Sequence, residues 1–408
     1  MIETIFIQIA SYRDSELVPT VMDCIAKASD PSKLYFGICA QCDPINDDLE
    51  DLLFIHSNIK LKVINYTQSK GTCWARSIAQ SLYSNQTYSL QIDSHMRFTD
   101  NWDTKLIEMW KSLNDDKSIL SAYPGKYYPD EPQYMWPIEP PSACNVYRIH
   151  KNRFKQRGYF INEILDSPIR GVAISAAYLF GLGEMIKDIP YDPNLYFEGE
   201  EMSMVLRLFT NGYNIYHPNK VLLYHYWLRE SAPKHWGDYS EWTKYDKIAN
   251  ERLDALLGLN DIDLGVYGLG TVRTIEDYTI YSGIDVIKEG IHSNRNAYME
   301  PPIDYSFGEW NYPKEKERIK LKLKWNTDEI PNNDDISYWY VSIMDTDNIE
   351  VHSFWIPKHE NPKVISLKKK SIIAEFEYIP NINILHEFII QPYSQADGWL
   401  NKHRFSIS

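Results

Sequence analysis

The chain has 408 residues, a formal net charge of -14, 44% hydrophobic residues and 24% charged residues. That length asks for more than one domain, and the apolar content excludes disorder as the main state. The acidity lies almost wholly before residue 310, which argues against binding nucleic-acid phosphates and suits a protein that recruits cations.

Thr4–Ala10 is a near-continuous apolar run, as in a strand buried on both faces, and it stops at Ser11–Asp14. Val18, Val21, Met22 and Ile25 then predict a helix. Further strands are expected at Leu34–Ala40 and Leu61–Ile64. Cys39 and Cys42 form a lone CxxC beside the second strand. Five cysteines, the last at Cys144, do not make a disulfide framework, so strand packing is expected rather than redox or zinc chemistry. Gly71–Arg76 opens a helix with Ala75, Ile78, Ala79 and Leu82 on one face. A fourth strand, Tyr88–Ile92, delivers Asp93 at its C-terminal end. This alternation predicts an α/β, Rossmann-like domain with a mainly parallel sheet. Ligands of such sheets bind beyond the carboxyl ends of the strands, where Ser11–Asp14, Gln41–Asp43 and Asp93–His95 fall.

Residues 123–145, with Pro129, Pro132, Pro137, Pro140 and Pro141, predict a long loop. The basic stretch His150–Arg157 is read as a solvated helix face, or else as the lining of an acceptor cleft. Gly199 precedes a helix through Met202, Val205, Leu206 and Phe209 that stops at Gly212. From about residue 312 the pattern turns to short strands: Ile319–Trp325, Tyr338–Met344, Val351–Ile356, Ile372–Ile379, Leu385–Ile390 and Arg404–Ile407. These predict a small antiparallel β-sandwich. The expected division is 1–235, 236–309 (helical or irregular) and 310–408 (all-β). Trp325, Trp339, Trp355 and Trp399 are expected in the sandwich core, the competing use being a glycan- or partner-binding face. The start of the chain lacks signal-peptide character and no apolar run is long enough to span a bilayer, so the expected location is the cytoplasm.

The chemistry-bearing residues are few. Asp93 and His95 alternate across Ser94 at a strand end, so both can point one way. A carboxylate with an imidazole suits Mn²⁺ better than Ca²⁺. Gly199 lets a backbone approach a ligand, and Glu200 and Glu201 fall in the first helical turn. Simple stabilisation by the helix dipole is the alternative there. His225, in Val221–Tyr226, reads on its own as a core histidine.

The order of these pieces resembles the retaining, metal-dependent nucleotide-sugar transferases of the GT-A type. Asp93–His95 and Phe197–Glu200 are similar to the D-S-H and Trp-Gly-Gly-Glu segments of the polypeptide N-acetylgalactosaminyltransferases, with Phe197-Glu198 standing where those have Trp-Gly. A closer resemblance is to the N-acetylglucosaminyltransferase family that includes the cytoplasmic enzyme glycosylating hydroxyproline. It is carried by Ile7–Asp14, Gly71–Arg76, Leu90–Arg97 with Asn101–Asp103, Phe197–Glu201, Tyr267–Gly270, Arg273-Thr274, Asp277-Tyr278 and Gly283–Asp285. It leaves the β-domain uncovered.

The resemblance implies retaining transfer of N-acetylglucosamine from UDP-GlcNAc to a hydroxyl of a protein or glycan. It implies Mn²⁺ (or Mg²⁺) held by Asp93, His95 and His225. Arg13 and Arg76 are then candidates for phosphate contacts, Asp14 and Asp43 for the uracil or ribose, Glu200 for the sugar hydroxyls and Gly171 for close approach to the sugar. Ser11, Ser94 and Glu201 complete the donor-site candidates, with Asp93 and Glu200 as the catalytic pair. The competing readings are a non-catalytic glycan- or partner-binding protein, and a transferase using another UDP-sugar on capsule, lipopolysaccharide or modified nucleic acid. The β-domain is a candidate surface for homo-oligomer contacts.

Overall fold

The structure, a computed structural model, describes residues 3–44, 49–129, 140–229, 232–295, 301–313, 317–324, 336–348, 350–357, 371–378, 384–394 and 398–407. It divides into two units, Met1–Asn311 and Tyr312–Ser408.

Ile5, Phe6, Ile7 and Ile9 bury both faces of the first strand, Ile5–Tyr12 (β1). The helix Leu17–Ala26 (α1) leads to the strand Leu34–Cys42 (β2), and the helix Glu50–Ile55 (α2) leads to Ile59–Asn65 (β3). The helix Thr72–Gln80 (α3) then leads to Tyr88–Asp93 (β4). These four strands are mutually parallel, and Ile7 lies level with Phe36 and Leu90. Helix α1 buries Leu17, Thr20, Val21 and Cys24, whereas Met22, expected inward, is 53% exposed. The stripe is turned by Thr20. Its hydroxyl donates to the Ser94 carbonyl (2.9 Å) and accepts from the Met96 N–H (2.8 Å), tying α1 to the D-S-H segment.

The chain continues through Met96–Phe98 (β5), the helix Trp102–Lys111 (α4), Ser118–Ser121 (β6), Gly125–Lys126 (β7), Ser142–His150 (β8), Arg153–Phe160 (β9), Ile169–Gly171 (β10) and Tyr178–Leu182 (β11). The helices Met185–Asp188 (α5) and Glu200–Thr210 (α6) precede Asn214–His217 (β12) and Leu223–His225 (β13). Among the described residues one sheet has the order β10-β12-β6-β11-β4-β1-β2-β3. Strand β11 runs antiparallel to both β4 and β6, and β10 antiparallel to β12, so the sheet is mixed rather than mainly parallel. The turn Ser175–Tyr178 reverses the chain just before β11, which then runs back between β4 and β6.

Residues 142–145, expected in a loop, open β8; residues 130–139, with Pro132 and Pro137, lie outside the described residues. His150–Arg157 is not a helix face. It spans a β8–β9 hairpin whose turn residues, Lys151 and Asn152, both have positive φ (50° and 56°), as a two-residue hairpin turn requires. Helix α6 stops at Gly212, as its spacing predicts, with φ +88°. The helices His235–Asp238 (α7), Trp242–Leu256 (α8) and Ile275–Ser282 (α9) follow. Ala249, Leu253 and Tyr278 join Met202, Val205 and Leu206 of α6 in one apolar cluster, while α1 and α4 pack in a separate one. Cys39 and Cys42 are buried in β2 and form no disulfide. Burial pushes the Cys39 thiol up to about 12, which leaves it inert.

In the second unit, Glu317–Lys324 pairs with Ser371–Tyr378. Ile336–Asp345 lies between Glu350–Pro357 and Leu385–Ser394, and the last of these also pairs with Gly398–Trp399 and His403–Ser406. Leu323, Ala374 and Phe376 of the first sheet share an apolar cluster with Trp339, Val341, Ile343 and Phe388 of the second. The strand alternation therefore does build two packed antiparallel sheets. Only Trp339 of the four tryptophans is seen in that core. Trp355 is 39% exposed and packs against Trp399 with centroids 5.7 Å apart; Trp325 lies outside the described residues.

Candidate active site

Strand β4 ends at Asp93, and after two residues β5 begins. Strand β13 pairs with β5 so that His225 lies opposite Met96. The Tyr226 N–H donates to the His95 carbonyl (3.1 Å). This register brings the later histidine to the D-S-H segment. Ligand atoms of Asp93, His95 and His225 lie within 4.8 Å of one another. His225 Nε2 is 3.1 Å and His95 Nε2 3.9 Å from Asp93 Oδ2. Burial holds His225 below the usual imidazole range, favouring the neutral ring that a cation needs. Burial also works against charge on Asp93, but His225 and Arg76 outweigh it and keep the carboxylate ionised. One carboxylate oxygen and two imidazole nitrogens, converging, fit a borderline divalent ion.

The triad opens onto a cavity of about 730 Å³. Ala10, Gln41, Ser69 and Gly71, at or past the ends of β1 and β2 and before α3, line one part of it. Gln41 is fixed there: its amide donates to the Ser11 carbonyl (3.0 Å) and its oxygen accepts from Ser69 (2.5 Å). His235 of α7 closes over this part. Its Nε2 donates to the Ser69 carbonyl (3.0 Å), so Nδ1 accepts from the Tyr196 hydroxyl (2.7 Å).

At the other wall stands Glu200, buried at the start of α6. It accepts from Tyr191 (2.7 Å), which accepts from Gln91 (2.7 Å), which in turn accepts from Gln8 (2.7 Å). Arg76 reaches Asp93 (2.8 Å), Glu200 (3.1 Å) and the Ala176 carbonyl (2.7 Å). Burial raises the Glu200 carboxyl, with Arg76 opposing. Glu201 accepts from the Ala176 N–H (2.8 Å) and from Gln156, and burial pushes it up to about 7.

The structure thus brings together Asp93, Ser94, His95, His225, Arg76, Glu200, Glu201 and Asp14 around one cavity. Ser11, Arg13, Asp43 and Gly171 do not line it. Ser11 is buried in β1 with its carbonyl on Gln41. Arg13 pairs with Asp238 of α7 (2.7 Å) and stacks on Tyr66. Gly171 sits in β10, and the neighbour its missing Cβ makes room for is the His217 ring, 2.3 Å from where that atom would be, rather than a sugar. Asp14 and Arg76 are also displaced from their expected tasks. Arg76 is 5% exposed and spent on two carboxylates, and Asp14 is bound to His95 and Arg229. Gln41, at the end of the expected ligand-side segment Gln41–Asp43, lines the cavity, as do Arg229, Lys234 and Trp236, which the sequence reading did not single out. Arg229 lies four residues beyond the His225 strand, close in sequence to the third member of the triad. Of the basic hairpin, Lys155 lines the cavity beside Phe197 and Glu198.

Residues 4–51 and 43–288 match the family model described as Glycosyltransferase (GlcNAc). The chain belongs to that family of glycosyltransferases. The GlcNAc glycosyltransferase match contains every residue of the triad and of the cavity and stops before the two-sheet unit. No individually curated protein matches the chain. Among solved structures it is similar to one of GalNAc-T7 with UDP, GalNAc and Mn²⁺, at 14% identity and a TM-score of 0.44, covering 68% of this chain. The chain spans about half of that GalNAc-T7 chain, 54%. It is also similar to S. aureus TarS 1-349 in complex with UDP-GlcNAc, at 13% identity and a TM-score of 0.36, covering 63% of this chain and 73% of that one. Full TarS from S. aureus aligns over 99% of this chain and 77% of its own, at 13% identity and a TM-score of 0.36. Among the described residues no helix is long and apolar enough to cross a membrane.

Proposed function

We propose that this chain is a retaining, divalent-metal-dependent transferase of the GT-A type. It moves N-acetylglucosamine from UDP-GlcNAc to a hydroxyl of a protein or glycan. The observation that carries this reading is the convergence of Asp93, His95 and His225 at a cavity beyond the carboxyl ends of β1, β2 and β4, in a chain of the GlcNAc glycosyltransferase family.

The residues divide the work by chemistry. Asp93, His95 and His225 would hold Mn²⁺ or Mg²⁺, which supplies positive charge to a diphosphate leaving group. Lys234 lines the same cavity and is the cation for the phosphate oxygens, with Arg229, whose charge Asp14 partly offsets, beside it. Gln41 and Ser69 offer polar edges for the base, and His235 shuts that end from water. Glu200 is oriented by Tyr191 and Arg76 and accepts hydrogen bonds from sugar hydroxyls. Lys155, Phe197 and Trp236 stand at the wall left for an acceptor.

A panel of UDP-sugars scored by UDP release, with and without Mn²⁺, tests this directly. UDP-GlcNAc is expected to be turned over fastest, and Asp93→Ala or EDTA to abolish release. Turnover that survives both treatments sinks the metal assignment. Preference for another sugar sinks the donor assignment, and an inverted anomeric proton signal in the product sinks retention.

A further inference from the structure

We infer that Glu201 is a positioning residue of the donor site: its carboxylate holds the turn Ser175–Tyr178, and with it the wall against which the donor sugar rests. The inference rests on the donor reading above and adds a residue to it.

Consecutive helix residues point about 100° apart, so Glu200 and Glu201 at the start of α6 face different neighbours. Glu200 faces Arg76 and Tyr191. Glu201 faces the turn that leads into β11. One of its oxygens accepts from the Ala176 N–H (2.8 Å), and the other from the Gln156 side chain of β9. The same Gln156 amide donates to the Ile174 carbonyl (2.7 Å), one residue before the turn. Arg76 and Gln91 both donate to the Ala176 carbonyl, each at 2.7 Å. The Ser121 hydroxyl of β6 accepts from the Ser175 N–H (2.9 Å) and donates to the Tyr178 carbonyl (2.6 Å). Both polar groups of Ala176 are thus held, the carbonyl from α3 and β4 and the N–H from α6.

Ser175, Ala176 and Ala177 line the cavity together with Glu200 and Glu201. Gln41 and Ser69 mark its base end, and the diphosphate belongs to the triad. In a sugar nucleotide the diphosphate stands between base and sugar, which leaves the sugar the wall of Glu200 and the turn. Two donors fill both lone pairs of the Ala176 carbonyl and Glu201 takes its N–H, so Ala176 offers a ligand a fixed apolar surface and no hydrogen bond. The place of that surface matters, because a misplacement of about 1 Å in a reacting complex costs on the order of 100-fold in rate. Both Glu201 oxygens are engaged by donors of the protein, so Glu201 acts through Ala176 rather than by touching the sugar.

The test uses the full chain with Mn²⁺. UDP affinity is measured by titration calorimetry, and kcat and KM by UDP release from UDP-GlcNAc, for wild type, Glu201→Ala, Glu201→Gln and Gln156→Met. In Glu201→Ala, kcat/KM for UDP-GlcNAc is expected to fall on the order of 100-fold while UDP affinity stays unchanged, since UDP lacks the sugar that meets the turn. Glu201→Gln keeps an oxygen for the Ala176 N–H and should recover most of the rate. Gln156→Met, which releases the Ile174 carbonyl and one Glu201 oxygen, should fall in the same direction. Unchanged kcat/KM in Glu201→Ala overturns the inference. So does a loss of UDP affinity as large as the loss for UDP-GlcNAc, which marks a merely structural role. Should Glu201→Ala not fold, Gln156→Met decides by the same two measurements. Failure of the donor reading is distinct: wild type then binds UDP but releases none from UDP-GlcNAc, and the inference falls with it.

Discussion

The Arg76 guanidinium lies 3.1 Å from the Glu200 carboxylate, with both side chains almost wholly buried. Its other nitrogen is 2.8 Å from Asp93. One cation from α3 therefore holds Asp93 and Glu200 at a fixed spacing. Arg76→Met is expected to leave Glu200 buried without its counter-charge, a class of change that costs about 3–5 kcal/mol. Chemical denaturation should show that loss, whereas Arg76→Ala at a solvated phosphate contact would cost little. Arg76→Lys is expected to recover only part, because an ammonium cannot span two carboxylates as a planar fork does.

His225 and Asp93 should be separable from Arg76 by what they affect. His225→Ala removes one of the three proposed ligands but leaves Asp93 with Arg76. Mn²⁺ affinity should fall by at least the roughly 10–100-fold that loss of an outer partner costs, with a far smaller change in melting temperature than Arg76→Met. Titration calorimetry beside a thermal melt separates the two. Unchanged Mn²⁺ affinity in His225→Ala would remove this histidine from the ligand set.

What could be read from the sequence follows the range of the interactions. Strands β1, β2 and β4 were visible because buried strands announce themselves in consecutive residues, and β3, a mostly unburied edge strand, through Leu61–Ile64. The antiparallel β11 was not, since its direction depends on a turn and on pairing with β4 and β6 rather than on composition. Asp93 and His95 could be seen as a pair because they are two residues apart on one strand end. His225 could not be told from a core histidine by itself: its place comes from the β5–β13 register. Arg76 and Asp14 were recognised as site residues but given ligand contacts. Their partners, Glu200 and Arg229, lie more than a hundred residues away in the chain, and no local pattern carries such pairings. The hairpin at His150–Arg157 was misread although Lys151, Arg153, Lys155 and Arg157 recur every second residue, a strand period, because the run is charged rather than apolar.

Glu201 gives the site a pH signature. Its ordinary value is 4.5, and burial pushes it up to about 7 in the folded chain. Between these values the folded state binds more protons than the unfolded state, so this group's contribution to stability falls as pH rises. It is fully present below pH 4.5 and lost by the time pH has passed 7, a span of about 3 kcal/mol. Glu201→Gln keeps the shape without the titration. Wild type should therefore lose more stability than Glu201→Gln between pH 5 and pH 8, measured by urea denaturation. Parallel pH profiles for the two would contradict the raised value.

Gly199 sets the entry of α6 and with it the direction of Glu200. Its φ is +84°, a left-handed conformation that a side chain disfavours by roughly 1–2 kcal/mol. A Cβ there would also meet Leu253 Cδ1 of α8 at 2.4 Å. Overpacking of this kind costs up to about 1–3 kcal/mol more, less where the Leu253 side chain can turn away. Gly199→Ala is thus expected to destabilise the fold and to weaken donor turnover through a displaced Glu200. Pairing it with Leu253→Ala separates the two causes. The double variant should regain the part of the denaturation midpoint owed to crowding, and keep the part owed to backbone strain. Full recovery would show that the left-handed conformation carries no cost at this position.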